Sequence, residues 1–264
     1  MPYANVNGVE LYYRIDQDSP ADAPWLVLSN ALGSDVSLWS PQIDALARVF
    51  RVLRYDTRGH GRSSIPPGPY TFEQLSDDVV GLLDTLGIER AHFCGISMGA
   101  MTGIALAARY PQRVNRVVIA QTTPRNGAPP QVWPARAQEA RASGTRALAV
   151  ATMERWFSAD FIEHEPVICA AIRDVITHTD REGYANCCEA IGAADLTAYV
   201  ARIAAPVLVI GGTHDVAALP EQTRALAAAL ADGRHVELDA FHISNVERAE
   251  EFTQALLAFL NGNA

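Results

Sequence analysis

The chain has 264 residues, 49% of them hydrophobic and 19% charged, with a formal net charge of −9. That length suits one large α/β domain with room for an inserted subdomain, and no segment is poor enough in apolar residues to stay disordered. The acidic balance without a basic run argues against a nucleic-acid partner; all basic residues are arginine, and the absence of lysine excludes a P-loop lysine, a Schiff base, pyridoxal phosphate attachment and a Ser-Lys dyad.

The first residues, MPYANVNGVELYYRI, show no basic leader followed by an apolar stretch. No run of about 18 apolar residues follows either, so a cytoplasmic protein without membrane contact is expected. WLVLSN (25–30) and FRVLRYD (50–56) are continuous aliphatic runs, as in parallel strands buried on both faces. TFEQLSDDVVGLLDTLG (71–87) reads as a helix. Thr71 is its N-cap, Gln74 completes a capping box, Leu75, Val79, Leu82, Leu83 and Leu86 share one face, and Gly87 stops it.

AHFCGIS (91–97) is a further strand, and MGAMTGIALAARYP (98–111) is a helix rich in small residues that ends before Pro111. Gly95, Ser97 and Gly99 straddle the bend between them. A G-x-S-x-G spacing arises by chance in roughly one chain in ten of this length, so the setting decides. A sharp strand-to-helix turn exposes the Ser97 hydroxyl above the sheet, flanking glycines let the two elements pass closely, and the Met98 N–H sits at a helix N-terminus that favours negative charge. This is the pattern of a nucleophile elbow.

VNRVVIAQ (114–121) is the next strand, and no acid follows it. From 125 to 196 the pattern turns helical, in pieces such as PPQVWPARAQEARASG, TRALAVATMERWFS and EPVICAAIRDVITHT. This stretch is expected to be a helical cap inserted at the carboxyl end of a strand, leaving 1–124 and 197–264 as the core. Strand character resumes in PVLVIGG (206–212) and RHVELDA (234–240), and the helix VERAEEFTQALLAFL closes the chain. The alternation implies right-handed crossovers and a mostly parallel, doubly wound sheet with its site outside the carboxyl strand ends.

An elbow serine requires an acid and then a histidine downstream. Asp215 follows a strand in VIGGTHD, and His242 follows the last strand in LDAFHISN. A serine hydroxyl is a poor nucleophile at neutral pH, so His242 is expected to accept its proton and Asp215 to orient the imidazole. His214 is adjacent to Asp215 and is expected to point away from it. The remaining histidines show no metal-ligand spacing, so no metal or cofactor is expected. Cys94, Cys169, Cys187 and Cys188 form no disulfide framework and are expected to be reduced and structural.

Together these features resemble the α/β-hydrolase fold family over essentially the whole chain. The resemblance implies that the second oxyanion donor is the backbone N–H of Ala31, partnering Met98, although Ser29-Asn30 replaces the His-Gly of many relatives. It also implies a structural role for Asp56 in DTRGHGRS (56–63). SNALGSDVSLW, ERWF (154–157), GYANCCEAI (183–191) and HISNVERAEEF (242–252) are similar to the 3-oxoadipate enol-lactonases in particular. That likeness implies hydrolysis of a five-membered enol-lactone, a late step in bacterial aromatic catabolism. A general esterase, a perhydrolase and a receptor-like binding protein share the same triad. Phe241 stands where relatives often carry a smaller residue and is expected to alter the pocket beside His242. The implied substrate is an anionic small molecule, so a pocket without lysine needs arginine or neutral donors. Trp133, Arg136 and Trp156 are the expected substrate contacts, with Arg136 at the carboxylate and Arg155 in a structural ion pair.

Overall fold

The computed structural model describes residues 2–262, so the outer limits of the expected core, Met1 and Ala264, lie outside the described residues. Eight strands form one sheet: β1 (Tyr3–Val6), β2 (Val9–Asp16), β3 (Trp25–Ser29), β4 (Arg51–Tyr55), β5 (Ala91–Ile96), β6 (Val114–Ala120), β7 (Val207–Gly212) and β8 (Gly233–Leu238). Their order is β1-β2-β4-β3-β5-β6-β7-β8, with β1 and β2 antiparallel and all other strands mutually parallel. The six expected strands are present, and the mostly parallel doubly wound sheet is the predicted architecture.

Two strands precede those read from aliphatic runs. Asn7 and Gly8, at φ 46° and 75°, make the tight loop of a hairpin whose register pairs Val6 with Val9. Positive φ at both loop residues matches the twist of the strands they join.

Alternate strand residues face opposite sides of the sheet, as the pleat requires. Val27, Leu53, Phe93, Val117 and Val209 pack against α2 (Phe72–Thr85), α3 (Met98–Arg109) and α10 (Pro220–Ala229). Leu28, Val52, Cys94, Val118 and Leu208 belong to a second core with α1 (Ser40–Leu46) and α12 (Ala249–Leu260). Helix α2 carries the expected capping box: the Thr71 hydroxyl accepts from the Gln74 N–H at 3.2 Å, and the Gln74 amide oxygen accepts from the Thr71 N–H at 3.2 Å. The closing helix departs from expectation, because it splits into α11 (Ser244–Glu247) and α12 at Arg248, φ −128°.

Between β6 and β7 lie α4 (Val132–Ser143), α5 (Arg146–Trp156), α6 (Ala159–His164), α7 (Pro166–His178), α8 (Arg181–Ala193) and the short α9 (Thr197–Val200). Arg125 and Asp195 form an isolated antiparallel bridge where the segment leaves and rejoins the core. The sheet order reverses at β3, whose successors β4 and β5 lie on opposite sides of it. Loops after β3 and β5 therefore diverge and leave a crevice at their carboxyl ends.

Candidate active site

Ser97 lies between β5 and α3 at φ 55° and ψ −116°, a backbone conformation strained for any residue with a side chain. The surrounding packing enforces it. A Cβ on Gly95 would lie 2.2 Å from the Gly99 carbonyl oxygen, and a Cβ on Gly99 would lie 2.2 Å from that of Ser29. Only glycines let α3 start directly against the ends of β5 and β3.

That close approach brings the loop carrying Ala31 against the elbow. Asn30 holds this loop from inside: its amide donates to the Tyr55 carbonyl at 2.8 Å, and its oxygen accepts from the Trp39 indole at 2.9 Å. Ser29 shares a 2.8 Å hydrogen bond with the Tyr55 hydroxyl. The residues that replace His-Gly are thus buried anchors. Neither the Ala31 nor the Met98 N–H finds an acceptor among the described residues, as is general for the first N–H of a helix.

Three side chains converge above the elbow. The His242 Nε2 lies 2.9 Å from Ser97 Oγ, and its Nδ1 lies 2.7 Å from Asp215 Oδ2. Asp215 is 2% exposed, and its other oxygen accepts from the N–H groups of Ala217 and Ala218 at 2.7 and 3.1 Å. These bonds fix the tautomer: Nδ1–H donates to the carboxylate, and Nε2 is left to accept from the serine hydroxyl. The rival His214 points outward to Asp239 at 2.8 Å, more than half exposed.

The chain opens onto a cavity of about 90 Å³, enough for several water molecules and therefore for a small ligand. Ser97, Met98, Met101, Gln121 and His242 form its sheet-side wall. Trp133, Arg136, Thr152, Arg155, Trp156 and Tyr184 form the opposite wall, all from helices α4, α5 and α8. All three expected substrate contacts, Trp133, Arg136 and Trp156, line it.

Two expectations need correction. Arg155 makes no ion pair among the described residues: its Nε is buried without a partner, and desolvation followed by repulsion from Arg136 lowers its pKa. The helix that carries it faces the cavity there, and no carboxylate reaches it. Phe241 does not line the cavity, because its ring turns to the surface and packs on His214 with centroids 5.5 Å apart.

Asp56 lies away from the cavity and accepts from the N–H groups of Val36 and Arg62 at 2.8 and 2.9 Å. Burial pushes its carboxyl up to about 6 against the pull of those two donors. All four cysteines are free and buried. Burial raises the thiols of Cys94 and Cys187 and pushes Cys188 up to about 12, so none is a thiolate nucleophile near neutrality. No group of three or more His, Cys, Asp or Glu side chains among the described residues could hold a metal ion, and no described helix is long and apolar enough to cross a membrane.

Two supporting residues lie in stretches noted for their resemblance, but nothing local in the sequence gives their roles. Glu247 is 6% exposed, and its two oxygens accept from the N–H groups of Phe241 at 2.7 Å and Ser158 at 2.9 Å. It ties the His242 loop to the end of α5, as does the Ile243 N–H donating to the Trp156 carbonyl at 3.3 Å. His60, neutral with its pKa pushed down to about 4 by burial, accepts from the Gly33 N–H at 2.9 Å and so steadies the Ala31 loop.

A family profile described as the alpha/beta hydrolase fold matches residues 24–249. The 3-oxoadipate enol-lactonase 2 of Acinetobacter baylyi is 42% identical over 240 residues, covering 91% of this chain and 90% of that protein. The 3-oxoadipate enol-lactonase 1 of the same organism is 35% identical, with 97% and 95% covered. Among solved structures, the enol-lactonase from Burkholderia xenovorans superposes with a TM-score of 0.96 at 59% identity, covering 98% of this chain and 100% of that one.

Proposed function

The chain belongs to the alpha/beta hydrolase fold family, and from that premise we propose that it is a serine lactonase that opens the enol-lactone of 3-oxoadipate in bacterial aromatic catabolism. The observation that carries this reading is the hydrogen-bonded chain Ser97–His242–Asp215, at 2.9 and 2.7 Å, opening onto a small cavity. The enol-lactonases at 42% and 59% identity support hydrolysis of a cyclic ester in particular.

In this mechanism Ser97 Oγ bonds to the lactone carbonyl carbon as His242 Nε2 takes the hydroxyl proton. The resulting oxyanion sits between the N–H groups of Ala31 and Met98, both otherwise without acceptors and one at a helix N-terminus. Collapse breaks the ring C–O bond. The leaving enolate takes the imidazolium proton and tautomerises to a ketone. It is a weaker base than a simple alkoxide, so this proton transfer is undemanding. Water then attacks the acyl-enzyme, giving one proton to His242 and its hydroxyl to the acyl carbon. The proton returns to Ser97 Oγ, and the diacid leaves. Asp215 stays ionised throughout and stabilises the imidazolium. The helices between β6 and β7 act as a lid that excludes bulk water and shapes the far wall.

Steady-state kinetics on the enol-lactone beside simple aryl esters tests the reading. A kcat/KM within about 10⁴–10⁸ M⁻¹s⁻¹ for the lactone, and far less for the esters, is expected. Comparable values for both would make the protein a general esterase.

A further inference from the structure

Three polar atoms in the cavity wall are buried and unpartnered: Arg155 Nε, Trp133 Nε1 and Gln121 Oε1. Two are donors on the helical wall, one of them on a permanent charge. An unsatisfied buried donor costs stability, and an unpaired buried cation costs more. Structural arginines in the same helices show the contrast. Arg141, one helix away, is paired with both Glu182 and Glu189.

The carboxylate nearest in role, Asp215, is already committed to His242 and two backbone N–H groups. Arg136 is committed as well, donating to the Tyr184 hydroxyl at 2.8 Å and the Thr152 hydroxyl at 2.7 Å, with its guanidinium 5.6 Å over the Tyr184 ring. Both partners are neutral, so its charge remains uncompensated beside that of Arg155. Two guanidinium groups and a bare indole N–H therefore face one cavity with no carboxylate among the described residues in ion-pair contact with either guanidinium.

We propose that Arg155 and Trp133 form an anion subsite that takes the free carboxylate of the substrate, with Arg136 held by Tyr184 and Thr152 as the neighbouring positive charge. This assignment rests on the lactonase reading and moves the carboxylate contact from Arg136, whose orientation is fixed by Tyr184 and Thr152 through Nε and one Nη2 donor, to Arg155, whose buried Nε has no protein partner. Since Ser97 occupies the opposite wall, a bound ligand presents its acyl carbon to the sheet side and its carboxylate to the helical side. The ligand class is a short lactone with an acid side arm, or the short diacid it becomes.

Titration of the Ser97→Ala protein with adipate and with neutral adipamide by calorimetry tests the subsite without turnover. Adipate is expected to bind at least tenfold more tightly than adipamide. Arg155→Met in that background should weaken adipate by about tenfold to a hundredfold, as charged hydrogen bonds do, and Trp133→Phe, which keeps the ring, by several-fold. Arg155→Met should leave the Tm unchanged or raise it, because the half-buried side chain loses no protein hydrogen bond and a buried Nε without a partner is removed. Adipate binding that is absent, or that is indifferent to Arg155→Met, overturns the assignment. So does a Tm lowered by several degrees in that variant, the mark of a structural arginine. Adipate binding through Arg155 by a protein that leaves the enol-lactone intact would sink the lactonase reading while the subsite stands.

Discussion

The two walls of the cavity are built on opposite terms. On the sheet side the three hydrogen-bonded side chains already satisfy one another, Ser97 to His242, His242 to Asp215, and Asp215 to two backbone N–H groups, and Gln121 Oε1 with the Ala31 and Met98 N–H groups is left open. On the helical side Arg155 and Trp133 each keep a buried donor with no acceptor. The difference separates two tasks. Chemistry needs groups locked in place before substrate arrives, since preorganisation removes reorganisation from the barrier. Selection needs groups whose hydrogen bonds are completed by the right ligand alone, because a wrong ligand leaves them unpaired.

If the walls divide the work in this way, damage to the sheet side should fall on every substrate alike. Ser97→Ala is expected to lower kcat by at least ~10³-fold and up to about 10⁶-fold. Asp215→Asn, which keeps the shape but favours the wrong tautomer, should lower it by about 10⁴-fold. Both losses should be the same within a few-fold for anionic and neutral lactones, with circular dichroism unchanged. Retention of activity within tenfold of wild type by Ser97→Ala would end the serine-hydrolase reading. A loss confined to anionic substrates would erase the distinction between the walls.

A smaller effect is expected where the sheet side meets its oxyanion loop. Gly99→Ala puts a methyl 2.2 Å from the Ser29 carbonyl oxygen and 2.8 Å from that of Asn30. These are backbone atoms at the end of β3, so α3 or the loop must shift. Overpacking of this kind costs about 1–3 kcal/mol, or a Tm lower by roughly 2–12 °C at this size. Because the same shift separates Ala31 from Met98, kcat should fall with the Tm. A variant with lowered Tm and unchanged kcat would show that Ala31 lies outside the oxyanion hole.

What the sequence made legible follows the range of the interactions. The elbow is local: three residues within five positions, at a strand-to-helix change, specify the turn at Ser97. Asp215 and His242 are distant in sequence but stand at strand ends, where parallel topology delivers them to one edge of the sheet. The hairpin of β1 and β2 has a local signal in Asn7-Gly8, yet its first strand of four residues shows no long aliphatic run. Glu247 lies within HISNVERAEEF, yet nothing local gives its role, because its second contact is Ser158, 89 residues earlier. The arginines make the point most sharply. Arg141 and Arg155 both sit in the last turn of a cap-segment helix. One meets two glutamates from α8, and the other meets a cavity. Periodicity places an arginine on a helix, but only the packing of a third helix decides whether it is paired.

The smallest predicted effect contrasts charge that titrates with charge that does not. Two buried imidazoles are neutral, His60 behind the Ala31 loop and His92 in β5, both pushed down to about 4 from 6.5 by burial, with Arg116 adding to the shift at His92. Between pH 6.5 and 4 the unfolded chain therefore binds more protons than the folded one. Stability should fall as pH drops through that window, by up to about 1.4 kcal/mol per pH unit for each group, and level off below it. Asp56, pushed up from 3.8 to about 6, acts in the other sense: the folded state binds its proton first, and stability is regained as pH falls from 6 toward 3.8. His235, which burial also pushes down, adds to the loss, and Asp78, which burial pushes up, opposes it. His92→Phe isolates one contributor. Its ring packs edge-on against Phe50 at 5.7 Å and its Nδ1 has no partner, so phenylalanine removes the titration without removing a hydrogen bond to a protein group. The helical wall contains no such group, since its one tyrosine, Tyr184, is pushed up to about 12. The slope of unfolding free energy against pH between 4 and 6 should accordingly flatten in His92→Phe, while the preference for anionic over neutral lactone stays constant from pH 6 to 9 in both proteins. Urea titrations across pH, read beside the kcat/KM ratio, measure both. An unchanged slope would place a proton on His92 in the folded state, and a preference that titrates would mean that a group other than Arg155 selects the anion.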